Sequence, residues 1–156
     1  VMYDIACEVP DEQYCIPFGE ASFPRQGSDV TIVAISNMVT HAITVADILA
    51  KEGISCDVID PRTVSPLDHE AILESVEVTG RLVIIDEGNP RCGLASDIAG
   101  IVAEHGFYSL KAPIRTVTAP HTPVPFAPEL EDAYLPNADK LMVAVREVLA
   151  AGPSGA

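Results

Sequence analysis

The chain has 156 residues, 48% of them apolar, which is enough for one domain with a core and too much for a disordered segment. Lys and Arg number 9 against 23 Asp and Glu, a net charge of −14 at pH 7, so nucleic acid and anionic membranes are poor partners and basic proteins are good ones. No apolar run reaches the roughly 18 residues of a spanning helix, and the start, Val1-Met-Tyr-Asp-Ile5, has neither the basic residues of a signal peptide nor an initiator Met, so it reads as a fragment or a processed product.

In chain order, residues 1–28 read as an acidic lead-in or linker that packs on the domain, with 14–18 offering an edge strand. A core strand is expected over 31–36. A helix over 38–52 follows, capped by Ser36 or Asn37, with Val39, Ala42, Ile43, Ala46 and Leu49 as one apolar stripe and Gly53 as its stop. The next strand is 55–60. Ser65-Pro-Leu-Asp68 then has the pattern of a helix start, with Ser65 as the cap, and Gly80 closes that helix. The third strand, 81–86, is the most apolar and is expected at the centre of the sheet. A helix over 93–105, a strand over 114–119, a short helix over 129–135 and a helix over 139–149 complete the domain of 29–150, and 151–156 reads as a flexible tail. Strands alternating with amphipathic helices mean a parallel α/β sheet covered on both faces, whose ligands and partners gather at the carboxyl ends of the strands.

Chemistry is sparse at those ends. Neither a Gly-x-Gly-x-x-Gly turn nor a phosphate-binding P-loop is present. Ser36 could serve an anion or simply the helix start. Asp86-Glu87 could bind a metal, share a proton, hold a cation, or pair with Arg62 of Asp60-Pro-Arg62. His41, His69, His105 and His121 show no zinc-site spacing. His121, just past a strand, is the one candidate catalytic acid–base group, with a structural loop histidine as the alternative. The four cysteines form no Cys-x-x-Cys pair. A Cys7–Cys15 disulfide is allowed by spacing, but free thiols in a reducing, cytoplasmic setting fit better, with Cys56 as a small buried hydrophobe. Two readings stand: a non-catalytic part of a larger enzyme, or a stand-alone small-ligand module binding an anion through Ser36, Arg62 and Glu87.

Several strings together resemble the C-terminal domain of the β subunit of thiamine-diphosphate-dependent dehydrogenases, a domain of transketolase C-terminal type. They are Tyr14-Cys-Ile-Pro-Phe-Gly-Glu-Ala21, Gly27-Ser-Asp-Val-Thr-Ile-Val33, Glu52-Gly-Ile-Ser-Cys-Asp-Val-Ile-Asp-Pro-Arg-Thr63, Pro66-Leu-Asp68, Thr79-Gly-Arg-Leu-Val83, and Leu130-Glu131 with Leu135-Pro136. Asp60-Pro-Arg62, Asn89-Pro-Arg-Cys92 and Pro120-His-Thr-Pro-Val-Pro-Phe126 look most like acetoin dehydrogenase β subunits. Where many relatives have a Gly-Gly pair before the third helix, this chain has Arg91-Cys92-Gly93. Where many pyruvate-type relatives have Asp, it has Lys111.

The resemblance implies a three-layer α/β fold whose five-stranded, mostly parallel sheet carries one antiparallel strand. It implies a parent enzyme that uses thiamine diphosphate and Mg²⁺ on acetoin or a pyruvate-type 2-oxo acid, with no cofactor or metal held by this domain. It also implies an assembly and docking role. The partners would be a second β subunit and α subunits in a heterotetramer, and the basic subunit-binding domain of the acyltransferase core. Arg62, Glu87, Lys111, Glu129, Glu131 and Asp132 are the interface candidates.

Overall fold

The computed structural model describes residues 8–151. Cys7, and with it the Cys7–Cys15 spacing, lies outside the described residues, as does the tail 152–156. The strands are β1 (Ser22–Arg25), β2 (Val30–Ala34), β3 (Cys56–Asp60), β4 (Leu82–Asp86) and β5 (Arg115–Thr118). The helices are α1 (Met38–Ala50), α2 (His69–Thr79), α3 (Leu94–His105), α4 (Pro128–Tyr134) and α5 (Ala138–Ala150). The strand order is β1-β3-β2-β4-β5, parallel throughout except for β1, which runs antiparallel to β3. Ile32 of β2 lies beside Val58 on one side and Val83 on the other. The central strand is therefore β2. Both β2 and β4 are buried along their whole length, and apolarity alone could not rank them.

Strand alternation makes three layers. Val30, Ile32 and Ala34 point toward α1 and α5, joining Ala42, Val45, Leu49, Leu141 and Val145 in one core. Val33, Ile59, Leu82 and Ile84 point the other way, onto Ile72 and Val76 of α2 and Ile98 and Val102 of α3. A polar seam runs through this second layer. The buried Thr31 hydroxyl lies 2.7 Å from that of Ser75 and 2.8 Å from that of Thr79, and the Ser75 hydroxyl donates to the buried carboxylate of Asp57. It joins β2, β3 and the inward face of α2, and it satisfies each hydroxyl where an unpaired one would be costly.

Three local expectations are corrected. The edge strand is Ser22–Arg25, not 14–18; Tyr14, Ile16 and Phe18 are exposed. The chain is pinned just before β1 by tertiary bonds, Gly19 N–H to Thr63 Oγ1 at 2.9 Å and Ala21 N–H to Asp68 Oδ2 at 2.7 Å. Pro24 suits such a margin because an outer strand does not need every N–H. Helix α2 is capped by Asp68, whose Oδ1 accepts the Ala71 N–H at 3.2 Å, and not by Ser65; Asp68 is held in place by its second bond to Ala21. Neither Ser36 nor Asn37 caps α1 through its side chain. Its first amides return to the carbonyls of Ile35, Ser36 and Asn37 in a tight turn.

Candidate functional site

Strands β2, β3, β4 and β5 all end on one edge. From β2 the chain crosses to β3 on one side, then back over β2 to β4 on the other, so the order reverses beside β2 at that edge. Crevices of parallel sheets form at such a reversal. Two hollows flank it here.

The first hollow encloses about 380 Å³ between the ends of β2 and β3. Ile35, Pro61, Val64 and Leu94 give it apolar walls, and Ser36, Asp60, Arg62 and Thr63 give it polar groups. Two of its residues have left-handed backbones, Ser36 at φ 57° and Arg62 at φ 57°; a third, Cys92 at φ 54°, stands in the loop after β4. A side chain in that region costs about 1–2 kcal/mol, so the surrounding contacts must impose it. At Arg62 they do. Its N–H donates to Asp60 Oδ1 at 3.0 Å, the next N–H, of Thr63, to the Pro61 carbonyl at 2.6 Å, and Thr63 Oγ1 to the Pro66 carbonyl at 2.9 Å.

The second hollow, of about 270 Å³, lies between α1, the end of β4 and the loop into α5. Glu87, His41 and Asp132 line it with Asn37, Leu135 and Asn137. The Asp86–Glu87 pair is thus divided. Asp86 is buried and turns back on its own loop, Oδ1 accepting the Gly88 N–H at 2.8 Å, while Glu87 is exposed. Among the described residues no group of His, Cys, Asp and Glu is arranged to hold a metal ion, and no ion pair joins Arg62 to either carboxylate.

The candidates are therefore dispersed. Arg62 and Ser36 share the first hollow; Glu87 and Asp132 share the second. Glu129 and Glu131 project from the first turn of α4 into solvent. Lys111 belongs to the opposite edge, its N–H on the Gly80 carbonyl at 2.7 Å and its Nζ on the Thr79 carbonyl at 3.4 Å, just ahead of β4. His121 is exposed past β5, its Nδ1 against the side-chain oxygen of Asn89. Sequence reading missed His41, which has no motif and joins Glu87 only through packing. It also missed the left-handed Cys92.

The cations are mostly committed within the domain. Arg25 grips Asp47 through two bonds, 2.8 and 3.0 Å; Arg115 pairs with Glu147 and Arg146 with Glu52. The Arg25 hydrogen bond holds the Asp47 carboxyl below its ordinary range. Arg81, Lys111 and Lys140 donate to main-chain carbonyls. Lys51 sits in the field of Asp47. Arg62 and Arg91 remain, one after β3 and one after β4, both exposed. Burial, with help from Asp29, pushes the Cys56 thiol up to about 11.

Residues 19–141 match the family described as transketolase, C-terminal domain. The chain is 52% identical over 147 residues to the β subunit of acetoin:2,6-dichlorophenolindophenol oxidoreductase of Bacillus subtilis (strain 168), covering 94% of this chain and 43% of that subunit. The subunit of the same name from Cupriavidus necator is 51% identical over 151 residues, 97% and 45% of the two chains. The pyruvate dehydrogenase E1 component subunit beta of Bacillus subtilis is 40% identical over 142 residues, 91% and 43%. The chain thus spans less than half the length of the curated relatives it matches. Among solved structures, a split gene transketolase described as an inactive beta4 tetramer superposes with a TM-score of 0.77 at 29% identity, over 94% of this chain and 46% of that one.

Proposed function

The chain belongs to the transketolase C-terminal domain family, and we propose that it serves as the C-terminal domain of the β subunit of a cytoplasmic, thiamine-diphosphate-dependent dehydrogenase acting on acetoin. The observation that carries this reading is 52% identity across 94% of the chain to an acetoin oxidoreductase β subunit, against 40% to a pyruvate dehydrogenase β subunit of the same organism. In this reading thiamine diphosphate and its Mg²⁺ are held elsewhere in the enzyme. The domain supplies packing against a second β subunit and an α subunit, and an acidic face for the basic subunit-binding domain of an acyltransferase core. Glu129, Glu131 and Asp132 on the exposed α4 suit that face, and Lys111 tempers the charge at the opposite edge. His121, whose ring is engaged with Asn89 in an exposed loop, is read as a structural loop histidine.

A chimera tests the assignment. This chain replaces the corresponding segment of the Bacillus subtilis acetoin oxidoreductase β subunit, and acetoin-dependent reduction of dichlorophenolindophenol is measured with its α subunit. Activity within about tenfold of the parent is expected, with a loss beyond about a hundredfold in the matching pyruvate dehydrogenase chimera. The reverse order would reject the assignment to an acetoin-type β subunit. Calorimetry of the chain alone with thiamine diphosphate and Mg²⁺ is expected to show no binding, and micromolar affinity there would overturn the division of labour.

A further inference from the structure

The first hollow holds two polar groups that the domain itself leaves unused and a third that it uses in part. Among the described residues, the Arg62 guanidinium takes part in no hydrogen bond or ion pair, the Ser36 hydroxyl in no hydrogen bond, and only one oxygen of Asp60 is engaged, by the Arg62 N–H. Six of the other eight cations are held by carboxylates or carbonyls, which makes the availability of this guanidinium notable. Its backbone is fixed in a strained conformation by Asp60, Pro61, Thr63 and Pro66, and Ser36, which lines the same hollow, is strained in the same sense. Strain maintained at two residues that line one hollow beside the reversal of strand order fits a binding function better than a solvated loop does. The volume, about 380 Å³, is that of a small-molecule site, and Ile35, Val64 and Leu94 supply apolar wall.

We propose that this hollow binds a small hydroxylated organic anion, with its carboxylate or phosphate on Arg62 and a hydroxyl on Asp60 and Ser36. The guanidinium fork matches either acid group. The Asp60 carboxylate selects the rest of the ligand. Beside Arg62 it repels a second acid group, and its unused oxygen accepts from a hydroxyl. A compact acid with one anionic end and one alcohol end satisfies all three groups together, whereas inorganic phosphate satisfies only Arg62. The three polar groups all belong to this domain, so the proposal does not rest on the assignment to a dehydrogenase.

The test is a ¹H–¹⁵N NMR titration of the chain with glycerate, glycerol 3-phosphate, inorganic phosphate and glycerol. Saturable shifts confined to the amides around Ser36, Arg62, Thr63 and Leu94 are expected with glycerate or glycerol 3-phosphate. The tighter of these two identifies the acid group. Glycerol should give none. Affinity should fall at least about tenfold in Arg62→Ala, an exposed change that leaves the fold intact by its spectrum. In Asp60→Asn, which keeps the oxygen that orders the loop, glycerol 3-phosphate should lose its advantage over inorganic phosphate. No saturation with either organic anion by about 10 mM, an equal response in Arg62→Ala, or shifts spread over the surface would overturn the proposal.

Discussion

Two adjacent residues before α3 show how a loop is chosen atom by atom. A Cβ at Gly93 would lie 2.4 Å from the Asn89 carbonyl oxygen, a contact that no rotamer relieves because the obstacle is main chain. Gly93→Ala is expected to destabilise the domain by roughly 2 kcal/mol or more, read by denaturant unfolding. Cys92 has a φ of 54°, a conformation glycine adopts freely. Relief of about 1–2 kcal/mol, less the roughly 0.5–1 kcal/mol glycine loses in chain entropy, makes Cys92→Gly mildly stabilising. A drop in melting temperature would show that the thiol has contacts worth more than the strain. The thiols also differ by place. Cys15 and Cys92 are exposed, while Cys56 is buried with its thiol pushed up to about 11. Alkylation at pH 8 should label Cys15 and Cys92 and spare Cys56 until the protein unfolds. The raised value also has a sign. Between about 9 and about 11 the unfolded chain ionises this thiol and the folded one does not, so Cys56 erodes stability as pH rises through that window.

At the scale of elements, the polar seam under α2 fixes how that helix sits. Ser75 is the sole hydrogen-bond partner of the Asp57 carboxylate among the described residues, and it also meets Thr31. Ser75→Ala leaves a buried carboxylate without a donor and should cost about 2–3 kcal/mol. The double change Ser75→Ala with Asp57→Ala should cost less than the two single costs added, and strict additivity would show the two groups are not coupled. The parallel strands were legible because each is a short apolar run beside a helical stripe, and burial on both faces leaves no other solution for such runs. Strand β1 was not. Its alternation is shallow, it contains Pro24, and its position rests on bonds to Thr63 and Asp68, 44 and 47 residues away. The cap of α2 was misread for the same reason. Ser65-Pro66 has the right spelling, but Asp68 is tied to the main chain before β1 and so begins the helix.

Across the whole molecule, a net charge of −14 coexists with internal use of most of the positive side chains, so the long-range field is acidic and any positive contact is local. In the proposed docking role, binding of a basic module to α4 should weaken steeply as salt rises, and Glu129→Gln with Glu131→Gln and Asp132→Asn should flatten that dependence. An affinity unchanged between low and high salt would place the contact elsewhere. The family was legible from ordered strings along most of the chain, but the candidate site only in part. Asp60-Pro-Arg62 marks a loop at a strand end, yet that its guanidinium is unclaimed, and that His41 shares a hollow with Glu87, depends on distances no spacing encodes. The two outer strands carry a last implication. On one flank β1 is four residues long, irregular in its pairing and interrupted by Pro24; on the other β5 is equally short and shows Arg115 and Thr116 to water. A stray chain trying to extend the sheet finds a missing donor at one flank and a charged guard at the other. This protein can therefore associate through its helices and loops while resisting the runaway stacking that open parallel sheets invite.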